Sequence, residues 1–192
     1  MFVAAAGNGG ADGVGDNNDT TPHYPSSYNS ANIISVAATN SQDSFASFSN
    51  YGAKAVDVTA PGVGILSTLP KNTYGSYSGT SMAPPHVAGA AALLKSKNPS
   101  LDDAEVKANL TQSVDKKSVF SGKTAAGGRL NAARALGIQV PQPPDPGLPY
   151  TAPPDPAPPD PAPPYAPPPS YGGGDGGGSK GKKGKGKKKR GR

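Results

Sequence analysis

The sequence predicts an α/β domain on a largely parallel sheet over residues 1–138, followed by a disordered tail rich in Pro, Gly and Lys. Three observations carry this prediction. Apolar runs such as Val3-Ala4-Ala5-Ala6 and Ile33-Ile34-Ser35-Val36-Ala37-Ala38 come first, and near-continuous apolar strands belong to sheets covered on both faces. Helix-forming stretches rich in Ala, Leu and Met follow, beginning at Ser81. The composition then breaks near Gly137–Pro141: residues 139–192 hold 16 of the 23 prolines and 11 of the 26 glycines of the 192-residue chain, too much Pro and Gly for a packed core.

Each element has its own local reason. Val3–Ala6 is a strand stopped by Gly7-Asn8-Gly9-Gly10, a turn sequence. A polar, acid-bearing loop runs to Asn32, and the β-branched run from Ile33 is a buried strand. Shorter β-like segments lie at 45–48, 56–59, 64–68 and 74–77, each bounded by Gly, Pro or Asn. A helix is predicted from Ser81 to Lys97, closed by Asn98-Pro99, with Lys95 and Lys97 at the negative end of its dipole. Its small residues, Ala83 and Ala88 to Ala92, occupy every face, which predicts burial all round. Pro84 and Pro85 lack N–H groups, so they belong in a first turn that is spared or distorted. Ser100 or Asp102 caps a second helix with Ala104, Val106, Leu110 and Val114 as its apolar positions, and Asn131 opens a short third one. A sheet that begins at Val3 has an open edge, which predicts that Val3, Ile33, Ile34 and Val36 meet water or another chain.

The tail has two parts. Residues 139–170 form a proline-rich linker with units such as Ala152-Pro153-Pro154-Asp155-Pro156, expected as an extended polyproline II rod. Residues 171–192 are Gly-rich and then Lys/Arg-rich. With nine basic and four acidic residues, 139–192 carry five of the net six positive charges. Lys180–Arg192 alternates cations with Gly and has no apolar residue, so it reads either as a solvated tail or as a polycation binding polyanions without sequence preference.

Other classes are excluded. With no cysteine there is no disulfide scaffold, thiolate metal site or cysteine nucleophile. No apolar run is long enough for a membrane span, and Met1–Gly7 lacks the basic start of a signal peptide. Ser81, at the positive end of the predicted helix, stands where an oxyanion would be stabilised by the dipole and free N–H groups.

Gly79-Thr80-Ser81-Met82-Ala83-Pro84-Pro85-His86-Val87-Ala88-Gly89 resembles the nucleophile motif of the subtilisin-like serine proteases, the subtilases. Ala4-Ala5-Ala6-Gly7-Asn8 resembles that family's oxyanion-asparagine segment, and Ala46–Gly52 and Asp57–Gly62 resemble its intervening strands, in the family's order over residues 1–138. The resemblance implies a subtilisin-like three-layer fold, present here as the C-terminal half of a catalytic domain. It implies a serine endopeptidase acting on polypeptides, with Ser81 as nucleophile and Asn8 as oxyanion donor beside the Ser81 N–H. Ala4, Ala5, Ala6 and Gly7 would line the primary specificity pocket, and His23, before Tyr24-Pro25, would narrow or polarise its floor. No cofactor is implied.

The family's triad Asp and His sit in motifs that precede the oxyanion segment, and nothing here matches them, so this chain alone is expected to be inactive. His86 follows Ser81 on the same helix and faces away from it, a structural histidine by resemblance. Pro84 stands where the family usually has Ser, Ala or Thr. Asp12, Asp16, Asn17, Asn18 and Asp19 make an oxygen-rich loop that could hold a structural Ca²⁺, although the spacing fits no defined loop motif and a solvated loop is the simpler reading. Asn18-Asp19-Thr20 and Asn109-Leu110-Thr111 are sequons that matter only in a secreted protein. Family and proline-rich tail together favour a secreted setting. A second function remains open, in which the half-domain is a non-catalytic relic and the basic tail binds polyanions or cell-wall material.

Overall fold

Four parallel strands form the centre of the computed structural model, which describes residues 1–141. Nearly all of the proline-rich linker and the whole basic tail lie outside the described residues. In chain order the strands are β1 (Phe2–Ala5), β2 (Ile33–Thr39) and β3 (Val58–Pro61), then a hairpin of β4 (Ile65–Leu69) and β5 (Thr73–Tyr77). A 3₁₀ turn at Thr80–Met82 leads into α1 (Pro84–Lys97). After it come α2 (Asp103–Gln112), β6 (Asp115–Lys116), a 3₁₀ turn at Ser118–Phe120, β7 (Gly128–Arg129) and α3 (Ala132–Ala135). The main sheet has the order β1-β2-β3-β7-β6, parallel except for the β6–β7 pair. This is the predicted α/β class with a largely parallel sheet.

The pleat sorts the side chains. Ile34 and Val36 on β2, with Val58 and Ala60 on β3, face α1 and α2 and join Val87, Ala90, Leu94, Val106 and Leu110 in one core. Each such Val, Leu or Ile contributes roughly 1.5–3 kcal/mol on burial. On the opposite face the residues are small: Ala37 packs with Ala6, Val56 and Phe45, so loops lie close against the sheet. Asp102 caps α2 by accepting from the Glu105 N–H, while the Glu105 side chain accepts from the Asp102 N–H, a capping box. Asn131 caps α3 through the Arg134 N–H at 2.8 Å.

Several expectations are corrected. Residues 45–48 make turns with a single bridge, Thr39 to Phe45, because the segment folds back over β2 instead of joining the ladder. The strand expected at 56–59 is shifted to Val58–Pro61, paired with Val36–Thr39. Ile34 and Val36 are fully buried, not open to water, since the helices cover them; Val3 and Ile33 are half-buried. Ala104 is exposed, and Val114 is buried beyond the end of α2. Burial of α1 is one-sided: Val87, Ala90 and Leu94 are inside, whereas Ala88, Gly89, Ala92 and Leu93 are exposed. Among the described residues nothing lies within 4 Å of a Cβ placed on Gly89. The sheet and α2 meet a single face of this helix. No helix among the described residues is long and apolar enough to cross a membrane.

Candidate active site

The carboxyl ends of the parallel strands bring two distant turns together, where open α/β sheets usually carry their sites. β1 ends in the Gly7-Asn8-Gly9 turn. Gly7 has φ +111° and Gly9 φ +71°, conformations that favour glycine, and a Cβ on Gly9 would stand 2.0 Å from the Val14 carbonyl oxygen. From β3, Gly62 N–H bonds Thr39 O at 2.9 Å, and Gly79 N–H bonds Gly62 O at 2.8 Å. That short ladder delivers Thr80 and Ser81 to the Asn8 turn.

Asn8 is exposed, but its side chain is anchored. Oδ1 accepts from the Thr80 N–H at 2.7 Å and from the Thr80 hydroxyl at 2.8 Å. Only an oxygen can accept from a backbone amide, so the orientation of the carboxamide is fixed and Nδ2 is the end left over. Asn8 Nδ2 bonds nothing among the described residues. Thr80 itself is 1% exposed. Sequence reasoning quoted Thr80 inside the motif without assigning it any part; a threonine gives no sign of a bond to a residue so far away.

Ser81 lies in the 3₁₀ turn, two residues before the N-cap Ala83, and not in the first turn of the α-helix itself. Pro84 and Pro85 occupy the first helical positions, where a missing N–H is tolerated. Neither the N–H nor the hydroxyl of Ser81 has a hydrogen-bond partner among the described residues. The arrangement is an exposed hydroxyl, two unused donors and the positive end of a 14-residue helix, which is chemistry suited to a developing oxyanion.

The other predicted residues fall around this point. Ala4 and Ala6 are buried, and Gly7 is too; Ala5 is half-exposed. His23 packs against Gly7, where a Cβ would come within 3.1 Å of His23 Cδ2. Its N–H donates to Ser27 Oγ at 3.0 Å and its Nδ1 lies 3.3 Å from Ser26 Oγ. His86 Nδ1 lies 3.1 Å from Met82 O, in the 3₁₀ turn that precedes its helix. Neither histidine bonds Ser81. Ser81 and His86, expected to face away from one another, border the same apolar cavity of about 330 Å³ between the β4–β5 hairpin and α1, with Ile65, Leu66, Ser67, Met82 and Pro85.

Several oxygens of the oxygen-rich loop accept from backbone amides. Asp12 accepts from Val14 N–H, Asn17 from Asp19 N–H, and Asp19 from the Lys54 and Ala55 amides. No cluster of three or more acidic, His or Cys side chains able to hold a metal occurs among the described residues. The Asn18 sequon asparagine is 2% exposed, leaving no room for a glycan.

The model of the subtilase family, peptidase S8, matches residues 1–137. The chain belongs to the subtilase family. It is 44% identical to subtilisin BL from Lederbergia lenta over 135 residues, 70% of this chain and 45% of that protein. It is 53% identical to subtilisin NAT from Bacillus subtilis subsp. natto over 110 residues, 57% of this chain and 27% of the relative. Alkaline elastase YaB from Bacillus sp. is 48% identical over 110 residues, covering 57% of this chain and 26% of that protein. The chain thus spans less than half the length of the curated relatives it matches.

Proposed function

We propose that residues 1–138 form the part of a subtilase catalytic domain that supplies the nucleophile and oxyanion hole of a serine-type endopeptidase. The observation that carries this reading is the pair of unused donors, Asn8 Nδ2 and the Ser81 N–H, next to the free Ser81 hydroxyl. Ser81 Oγ attacks the peptide carbonyl carbon, the carbonyl oxygen becomes an oxyanion, and these donors stabilise it. The polypeptide lies with one side chain toward Ala5 and Gly7, with His23 narrowing that end. Neither histidine bonds Ser81, so among the described residues no imidazole is in place to take its proton. Turnover requires the Asp and His of a complete triad, and their loss costs on the order of 10⁶, a figure measured in a subtilisin. The reading also places the work outside the cell, which family membership and the proline-rich linker favour.

A peptidyl boronate tests the reading without requiring turnover. The Ser81 oxygen adds to the trigonal boronic acid, the serine proton leaves to water, and the boron becomes a tetrahedral anion that mimics the oxyanion. Binding to the 192-residue chain, followed by ¹¹B NMR, is expected to vanish in Ser81→Ala and to weaken in Asn8→Ala. Equal binding by wild type and Ser81→Ala overturns the proposal. Hydrolysis of peptides and stoichiometric labelling by a fluorophosphonate are both expected to be absent; labelling of Ser81 would show that a base is present after all.

A second reading rests on the nine cations of Lys180–Arg192 combined with the missing base: a non-catalytic subtilase segment whose tail holds polyanions.

A further inference from the structure

Asn50, 4% exposed, directs its backbone N–H and its whole side chain at the loops around Asn8. The N–H donates to Gly7 O at 2.8 Å. Oδ1 accepts from the Gly9 N–H at 2.7 Å and the Asp16 N–H at 2.9 Å, and Nδ2 donates to Asn18 Oδ1 at 3.0 Å. Asn18, 2% exposed, donates its own Nδ2 to Ala6 O at 2.8 Å. Residues 6 and 9, on both sides of Asn8, are therefore tied to two buried carboxamides, and residue 7 to the Asn50 backbone. The approach is close, since a Cβ on Gly7 would stand 2.6 Å from Asn50 Nδ2.

Burying two carboxamides is costly unless all their donors and acceptors are met, and a satisfied buried network rigidifies what it touches. Here the rigidified element is a two-glycine turn that has little stiffness of its own. We infer that Asn50, acting with Asn18, is a positioning residue for Asn8. It fixes the Gly7–Gly9 turn so that Asn8 Oδ1 meets Thr80 and Nδ2 is presented beside Ser81. The catalytic meaning rests on the endopeptidase reading, whereas the geometry does not depend on it. A misplacement of about 1 Å at such a site costs on the order of 10²-fold in rate.

Hydrogen exchange on the full chain tests the inference, with the Thr80 amide as reporter because its acceptor is Asn8 Oδ1. Asn8→Ala gives the rate of that amide with no acceptor. Asn50→Leu, similar in size and without polar atoms, is expected to speed Thr80 exchange about tenfold or more, the worth of one hydrogen bond. Asn50→Asp keeps an acceptor for Gly9 and Asp16 but sets an oxygen against Asn18 Oδ1, so it is expected to restore only part of the protection. The Val36 and Val58 amides in the sheet report general loosening and are expected to move far less. Should Asn50→Leu not fold, Asn50→Ser, too short to reach the Gly9 N–H, carries the same comparison. A Thr80 rate unchanged from wild type, or rising only in step with Val36 and Val58, overturns the inference. The boronate result is independent of these rates, so failure of the endopeptidase reading is recognised separately.

Discussion

Thr80 gives both of its donors to one oxygen, Asn8 Oδ1, across 72 residues of sequence. One bond comes from the backbone, which no substitution except proline removes, and the other from the hydroxyl. Thr80→Val deletes the second while preserving shape. It is expected to weaken peptidyl boronate binding by roughly five- to tenfold, about 1 kcal/mol, with Thr80→Ser close to wild type. Equal affinities for the valine and serine variants would show that the backbone bond suffices to hold Asn8.

Asp115 is the centre of a mostly buried charge network. Its side chain, 2% exposed, meets Arg129 at 2.9 Å and Arg134 at 3.3 Å and accepts from Asn131 at 3.0 Å. Arg129 continues to Asp43, which also pairs with Lys117 at 3.1 Å. Removing one member of such a buried set leaves charge uncompensated, so Asp115→Asn is expected to cost about 3 kcal/mol in urea unfolding. A change below about 1 kcal/mol, the range of surface pairs, would place the network among ordinary exposed ion pairs.

The β4–β5 hairpin and the outer side of α1 carry exposed apolar side chains. Leu66 and Tyr74 are 69% exposed, and Tyr77 and Leu93 are each 52% exposed. Patches of this kind attract hydrophobic dyes and other chains. The protein is expected to raise the fluorescence of such a dye, and Leu66→Lys with Leu93→Lys to remove most of that rise. Undiminished dye binding in the double variant would locate the sticky surface elsewhere.

The nine cations of Lys180–Arg192 lie close enough to act together on a polyanion, and no aromatic residue follows Tyr171 to stack on bases. Retention on heparin is expected to fall steeply with salt and to disappear on deletion of 180–192, with Ser81→Ala unaffected. Equal retention of the shortened chain at low salt would assign anion binding to residues 1–138.

Order and type of the main elements were legible from the sequence wherever a long run carries its own period or cap. The seven-residue β2 and the capping box of α2 are such cases. Two-residue strands such as β6 and β7 have no period to read and exist because Arg129 and Asp115 meet across them. Alanine and glycine along α1 hide which side is covered, since both residues suit either environment. Ser81 stood out by its place ahead of the predicted helix as well as by motif resemblance, and Asn8 by resemblance alone. Thr80 and Asn50 were not, because hydrogen bonds to residues 72 and 41 positions away leave no trace in local composition.

The entrance to α1 assigns almost every N–H it has. Thr80 donates to Asn8, Met82 to Gly79 O, Ala83 to Thr80 O and His86 to Ala83 O, while Pro84 and Pro85 have none to give. A helix entrance normally fans several donors toward solvent and receives an anion in many poses. This one keeps a single vacancy, at Ser81, so the field of the helix acts along one line. An approaching oxygen is guided by direction as well as by charge, and a carboxylate or phosphate drifting past finds at this entrance, among the described residues, only the N–H and the hydroxyl of Ser81.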